Sequence, residues 1–241
     1  MKKILLSAVV ASACSVGAIA ADKTQEIVTH TEMGYIQTNG NTKTKTFNLD
    51  SKAERQWDKH AGIFTFDGQY GSDAGDITKK KYLLELEYNY SFTQQLAFTY
   101  LVGYKYDKFS GYDYQAYTGP GLKYTAIAQK TQNLSLEAGA LYSQDKLTVD
   151  GSTNDYASYR LKGVYDLDIT STLKFLQEAS VRGSFEESDN YFAYSKTAFI
   201  SKISDIFSAG ISYKLDYANT PPPGVTYKTD ETLTFNLIMD Y

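Results

Sequence analysis

From Glu26 to Tyr241 the chain repeats one pattern. Stretches of about ten to fifteen residues alternate apolar with polar positions, and clusters of turn-forming residues separate them. The alternation is cleanest where Tyr82, Leu84, Leu86, Tyr88 and Tyr90 share one face against Lys81, Leu83, Glu85, Glu87 and Asn89 on the other. Leu96 to Tyr106, Tyr112 to Tyr124, Leu134 to Tyr142, Tyr159 to Ile169 and Phe207 to Tyr217 behave alike when every second residue is taken. The period is two, so these are strands, and no window supports a long amphipathic helix.

Eleven breaks interrupt the pattern and predict twelve strands. Thr38-Asn39-Gly40-Asn41 is a tight hairpin signal, because Asn-Gly tolerates the positive φ angles of a type I′ turn. Further breaks fall near residues 57–60, 71–77, 91–94, 107–111, 127–132, 149–155, 169–172, 187–190, 204–206 and 218–225. The even-numbered breaks are expected to be compact. Several odd-numbered ones, notably 71–77, 149–155 and the Pro-Pro-Pro-Gly segment at 221–224, are expected to be longer.

Length then separates two all-β architectures. Setting residues 21–241 against twelve strands gives roughly 18 residues per strand and turn, far above the 5–6 of a typical soluble strand. A tilted strand crossing a bilayer needs about 9–11 residues in the hydrocarbon. The aromatic share is 15%, with 22 Tyr, and Tyr recurs toward strand ends at Tyr88 and Tyr90, Tyr104 and Tyr106, Tyr112 and Tyr114, and Tyr217. Such girdles place a ring in lipid and its hydroxyl in water. The expected fold is therefore all-β, a transmembrane up-and-down antiparallel β-barrel of about 12 strands. After residue 21 no run of 18 apolar residues occurs, so a transmembrane helix is excluded there.

Lys2-Lys3, the apolar run from Ile4 to Ile19 and Ala18-Ile19-Ala20 together read as a secretory signal peptide over residues 1–20, cleaved near Ala20. The barrel domain then spans 21–241. Ala11-Ser12-Ala13-Cys14 departs from a lipoprotein box, since Ala11 stands where a larger aliphatic is wanted. Cys14 is the chain's single cysteine, so neither a disulfide nor a thiolate metal site is expected. Removing residues 1–20 leaves 22 basic against 28 acidic residues, a net charge of −6, which argues against nucleic acid as a partner.

The last strand adds a second address. Leu233, Phe235, Leu237, Met239 and Tyr241 form one apolar face that ends on an aromatic residue. This resembles the signal that hands bacterial outer-membrane proteins to the barrel-assembly machinery. Three other segments carry a family resemblance: Gly34 to Thr44, Tyr104 to Asp113, and Gly119-Pro120-Gly121, with the 221–224 loop alongside them. They resemble the YdiY-like, salt-induced outer-membrane protein family, a domain of unknown function. That resemblance spans essentially the whole mature chain and implies a barrel in the outer membrane of a Gram-negative bacterium, with no catalytic residue to carry over.

Candidate chemistry is sparse. The two histidines, His30 and His60, lack both an HExxH spacing and a recognisable serine partner. Asp73-Ala74-Gly75-Asp76 lacks the later bidentate Glu of a calcium loop. No catalytic, metal or cofactor site is expected. The informative residues are the charges on the polar face: Lys105, Glu137, Arg160, Glu178, Arg182 and Lys214, with Lys81, Glu85, Glu87 and Lys162, all read as lumen-facing. Paired across strands they close the lumen; lining an aqueous path they set its ion preference. A narrow or occluded lumen is the favoured outcome. The expected role is a non-enzymatic narrow pore or a stress-related envelope component in contact with outer-membrane lipid. The alternatives are a barrel enzyme with an unrecognised site, and a structural barrel that binds lipopolysaccharide through Lys79 to Lys81.

Overall fold

The computed structural model describes residues 26–37 and 44–241. Residues 1–20, read above as a signal peptide and containing Cys14, and the turn expected at Thr38–Asn41 lie outside the described residues. Twelve strands follow one another: β1 (Ile27–Gln37), β2 (Thr44–Trp57), β3 (His60–Asp73), β4 (Asp76–Ser91), β5 (Leu96–Asp107) and β6 (Tyr112–Ala128). The second half is β7 (Gln132–Leu147), β8 (Thr153–Asp168), β9 (Leu173–Ser184), β10 (Tyr191–Lys202), β11 (Phe207–Ala218) and β12 (Thr229–Asp240). Each pairs antiparallel with the next, and β12 pairs with β1 to close the barrel. Closure removes the unpaired strand edges that a lipid environment does not tolerate.

The wall is polar inside and apolar outside. Leu86 is 57% exposed and Phe235 64%, both on the outer face, whereas Arg160 is only 6% and Lys214 3% exposed. An outer surface carrying this many exposed Leu, Phe and Tyr side chains suits hydrocarbon rather than water. Aromatic rings band both ends of that surface. Trp57, His60, Tyr88, Tyr90 and Phe92 contact one another at the end that carries the termini. Tyr82, Tyr104, Tyr106 and Tyr114 stack at the opposite end.

Three turns at the terminus-bearing end share a design: Phe92-Thr93-x-x-Leu96, Ile169-Thr170-x-x-Leu173 and Ile203-Ser204-x-x-Phe207. In each, the hydroxyl of the second residue accepts from two backbone N–H groups further along the turn. The backbone N–H of the first residue, in turn, donates to the carbonyl of the last. A small polar side chain thus replaces the backbone partners that a tight connection cannot supply.

Two expectations need correction. The break at 71–77 is not a long loop: β3 and β4 run on to Asp73 and Asp76, and only Ala74 and Gly75 turn, at φ of 50° and 102°. Positive φ at both central residues is the geometry of a two-residue type I′ hairpin, which the Asp, Ser and Gly around it masked as loop composition. Tyr112 is not in the outer girdle with Tyr114. The register between β6 and β7 shifts between these two residues, so the bulge reverses which side Tyr112 faces. It is buried and meets Phe192 of β10 edge-on, across the interior.

Candidate functional site in the barrel lumen

Strand alternation carries the charges inward, and the closed ring brings them within reach of one another. Lys196 on β10 donates to Glu32 Oε1 on β1 at 2.6 Å and to Asp50 Oδ2 on β2 at 3.2 Å. One strand along, Lys214 on β11 donates to both oxygens of Asp50, at 2.6 and 2.7 Å, and to Asp67 on β3 at 2.5 Å. These bonds are chords. They pass through the interior between strands that are three or four places apart in the ring.

A second group occupies the facing wall. Arg160 on β8 donates to Glu137 Oε1 on β7 at 2.8 Å and reaches Glu85 on β4 at 3.4 Å. Tyr117 on β6 completes it by donating to Glu85 Oε1 at 2.6 Å. Beside them Lys162 pairs with Glu178 at 2.7 Å and Lys123 with Glu87 at 3.7 Å. Desolvated charges of this kind persist only when each is met by an opposite charge or a hydrogen bond.

Toward the end opposite the termini the interior is crossed outright. Asp216 on β11 accepts from Lys81 on β4 and from Lys105 on β5, the latter at 3.3 Å. β5 and β11 stand six places apart in either direction, so this bridge spans the full width of the barrel. At a similar level Arg182 on β9 donates to Ser143 Oγ at 2.9 Å and Tyr156 Oη at 3.0 Å and lies 3.6 Å from Asp145. Its guanidinium also sits 4.9 Å from the Tyr117 ring and 4.8 Å from the Phe192 ring. Cation–π contacts of this closeness gain strength where water is excluded.

Between these groups lies a cavity of about 870 Å³. It runs from Val28, Lys52 and Asp166 at the terminus-bearing end to the layer of Lys81, Lys105, Asp216 and Arg182. Lys105, Glu137, Arg160, Glu178 and Arg182 all line it, and Lys214 is bound to the carboxylates of its wall. Sequence reading missed Glu32, Asp50, Asp67, Asp145, Lys196 and Asp216. Parity alone would have found Asp216, which is two residues from Lys214 and lies between Leu215 and Tyr217 on the outer face.

The two histidines meet carboxylates and a tyrosine. His30 Nδ1 lies 2.5 Å from Asp240 Oδ1 and Nε2 lies 3.1 Å from Glu32 Oε1, so both ring nitrogens face carboxylates. His60 Nδ1 is 2.6 Å from Tyr88 Oη within the outer aromatic band. The lysine cluster is divided by strand parity as well. Lys81 is buried on Asp216 and Lys79 donates to Thr232 Oγ1 at 2.5 Å, while Lys80 alone turns outward, over the Tyr106 ring.

On the last strand Leu233, Phe235, Leu237 and Met239 project from the outer face. Tyr241 ends it, and its backbone exchanges two hydrogen bonds with Thr29, at 2.6 and 3.0 Å.

The closed twelve-strand antiparallel barrel built by these strands matches solved outer-membrane porin structures in fold. Among solved structures it is similar to the NanC porin, with a TM-score of 0.54 at 10% sequence identity, covering 89% of this chain and 98% of that one. Similarity extends to the KdgM porin in complex with disordered oligogalacturonate, with TM-score 0.43 and 7% identity over 90% of this chain and 98% of that one. It extends also to the translocator domain of autotransporter NalP from Neisseria meningitidis, with TM-score 0.44 and 10% identity over 92% and 89%. No curated protein matches the chain. The chain belongs to the family described as protein of unknown function, DUF481, whose profile matches residues 31–241.

Proposed function

We propose that this chain is a non-enzymatic barrel of the Gram-negative outer membrane, delivered after cleavage near Ala20, and that it acts as a narrow pore whose resting lumen is bridged shut by ion pairs. The observation that carries the reading is Asp216, held from the opposite wall by Lys81 and Lys105. An apolar exterior between two aromatic bands supports the membrane setting. The cavity beneath the bridge supports a path rather than a solid core. Outer-membrane lipid is the surrounding partner and the barrel-assembly machinery the transient one, engaged through the Leu233–Tyr241 strand. Of the three lysines considered for lipopolysaccharide, only Lys80 faces the side where lipid phosphates lie. The YdiY-like resemblance adds an envelope-stress role to this proposal.

Conductance in planar bilayers tests it. Refolded wild-type protein should show small, infrequent openings. Asp216→Asn releases two lysines into the lumen, so openings should lengthen and the anion preference should rise. A correctly folded Asp216→Asn barrel that passes no current, like the wild type, would overturn the pore reading.

A further inference from the structure

The connection between β11 and β12, residues 219–228, is the longest among the described residues, and it does not stand free. Ala218 N–H donates to the Lys228 carbonyl at 2.8 Å and pinches its base. Asn219 Nδ2 and Thr220 Oγ1 both donate to the Asp189 carbonyl, at 3.0 and 2.9 Å, which lays its first arm over the β9–β10 connection. Its tip is a turn in which Val225 N–H donates to the Pro222 carbonyl at 3.2 Å, with Gly224 at φ 93°. Proline at the second position and glycine at the third are the residues that a type II turn requires. Three successive prolines fix φ along the approach, so the arm is semi-rigid.

That tip touches the far rim. A Cβ built on Gly111 would come within 2.9 Å of Pro222 Cβ and Val225 Cγ2, so the two segments are in contact, and Pro222 is buried by it. Gly111 belongs to the β5–β6 connection, six places around the ring from β11–β12. A contact between those two connections can only be made over the mouth. Gly111 holds φ 79°, and its carbonyl accepts from Thr148 N–H at 3.0 Å, which ties the β7–β8 connection to the same point. The cavity below stops at the Lys105–Asp216 layer, and no strap residue lines it.

We propose that residues 219–228 form a lid over this mouth, latched by Pro222 and Val225 on Gly111, and that release of the latch, separately from the ion pairs below, admits solute from the side opposite the termini. The proposal rests on the pore reading, and its test has a readout besides current. A cysteine is placed at Gln115, which lines the cavity just beneath, in a chain whose only other cysteine is Cys14. Intact cells are treated with a membrane-impermeant maleimide, and heat-dependent gel mobility confirms the folded barrel. Labelling should be slow with the native strap. It should rise at least tenfold with Pro221, Pro222 and Pro223 all changed to Gly, and rise in the same direction with the milder Val225→Ser. Equal labelling of folded native and variant proteins would overturn the lid. Conductance with unchanged labelling would leave the pore and remove the lid; faster labelling of barrels that never conduct would keep the lid and remove the pore.

Discussion

Replacing Lys214 with methionine removes a buried ammonium and keeps most of its volume. Lys214 is bonded at 2.5–2.7 Å to Asp50 and Asp67, which lie directly opposite each other on β2 and β3. The change therefore leaves Asp50 to Lys196, which it shares with Glu32, and leaves Asp67 with a 3.4 Å bond from the neutral Gln69 amide in place of an ammonium. Breaking a buried pair by removing one partner costs about 3–5 kcal/mol, because the remaining charge stays desolvated. Were the lumen filled with bulk-like water at this level, each pair at 4 Å would be worth only about 1 kcal/mol, against about 4 at the dielectric typical near protein surfaces. The two states of the lumen thus predict different numbers. Urea titration in lipid vesicles, followed through the single tryptophan, Trp57, gives the free-energy change from the shift in midpoint at constant slope. Lys52→Met is the control: its pair with Glu54 is about half exposed on both sides and should contribute between 0 and about 1 kcal/mol. Adding Asp67→Asn to Lys214→Met should recover part of the loss. A Lys214→Met barrel within about 1 kcal/mol of wild type would refute the desolvated network and leave a wet lumen in its place.

Two further outcomes bear on assembly and orientation. Phe235→Asp puts a charge on the exposed outer face of β12, and should lower outer-membrane yield and leave periplasmic aggregates, as should deletion of Tyr241; fractionation and heat-dependent gel mobility measure both. Single cysteines at Ser152 and Gly224 should react with an impermeant label on intact cells and one at Thr93 should not, since these positions occupy opposite ends of the barrel; strong labelling at Thr93 would invert the orientation.

Strand count and lumen parity were legible where one face is bulky and the other charged, as along Tyr82 to Tyr90. β2 was harder. On β2 the outer positions that follow Asp50 are Ser51 and Ala53, which leave its face unmarked, whereas on β3 the outer Phe64, Phe66 and Tyr70 would have placed Asp67 inward. The pairings themselves are beyond any local pattern, since Lys214 reaches Asp67 across a separation of 147 residues. Knowing that both point inward does not say which lysine each will meet; closure of the ring decides it. Tyr112 fails for a different reason. A single bulge reverses parity, and nothing in Gly111-Tyr112-Asp113-Tyr114 signals one.

The bond from the Thr29 side chain to the Tyr241 carbonyl joins residues 212 apart, and it belongs to the shortest ladder in the wall. Between described residues β1 and β12 match at four register pairs, from His30 with Asp240 to Met33 with Leu237, whereas β1 and β2 match at eleven. Every other neighbouring pair is consecutive in sequence, so those hairpins can zip from local contacts as soon as their residues are present. The seam cannot; its chain-entropy cost is incurred only once all twelve strands exist. Until then the growing sheet has two open edges, each able to pair with a wrong partner. The seam is thus the last ladder to form, and having the fewest rungs, it is also where the finished wall should part first under mechanical or thermal load.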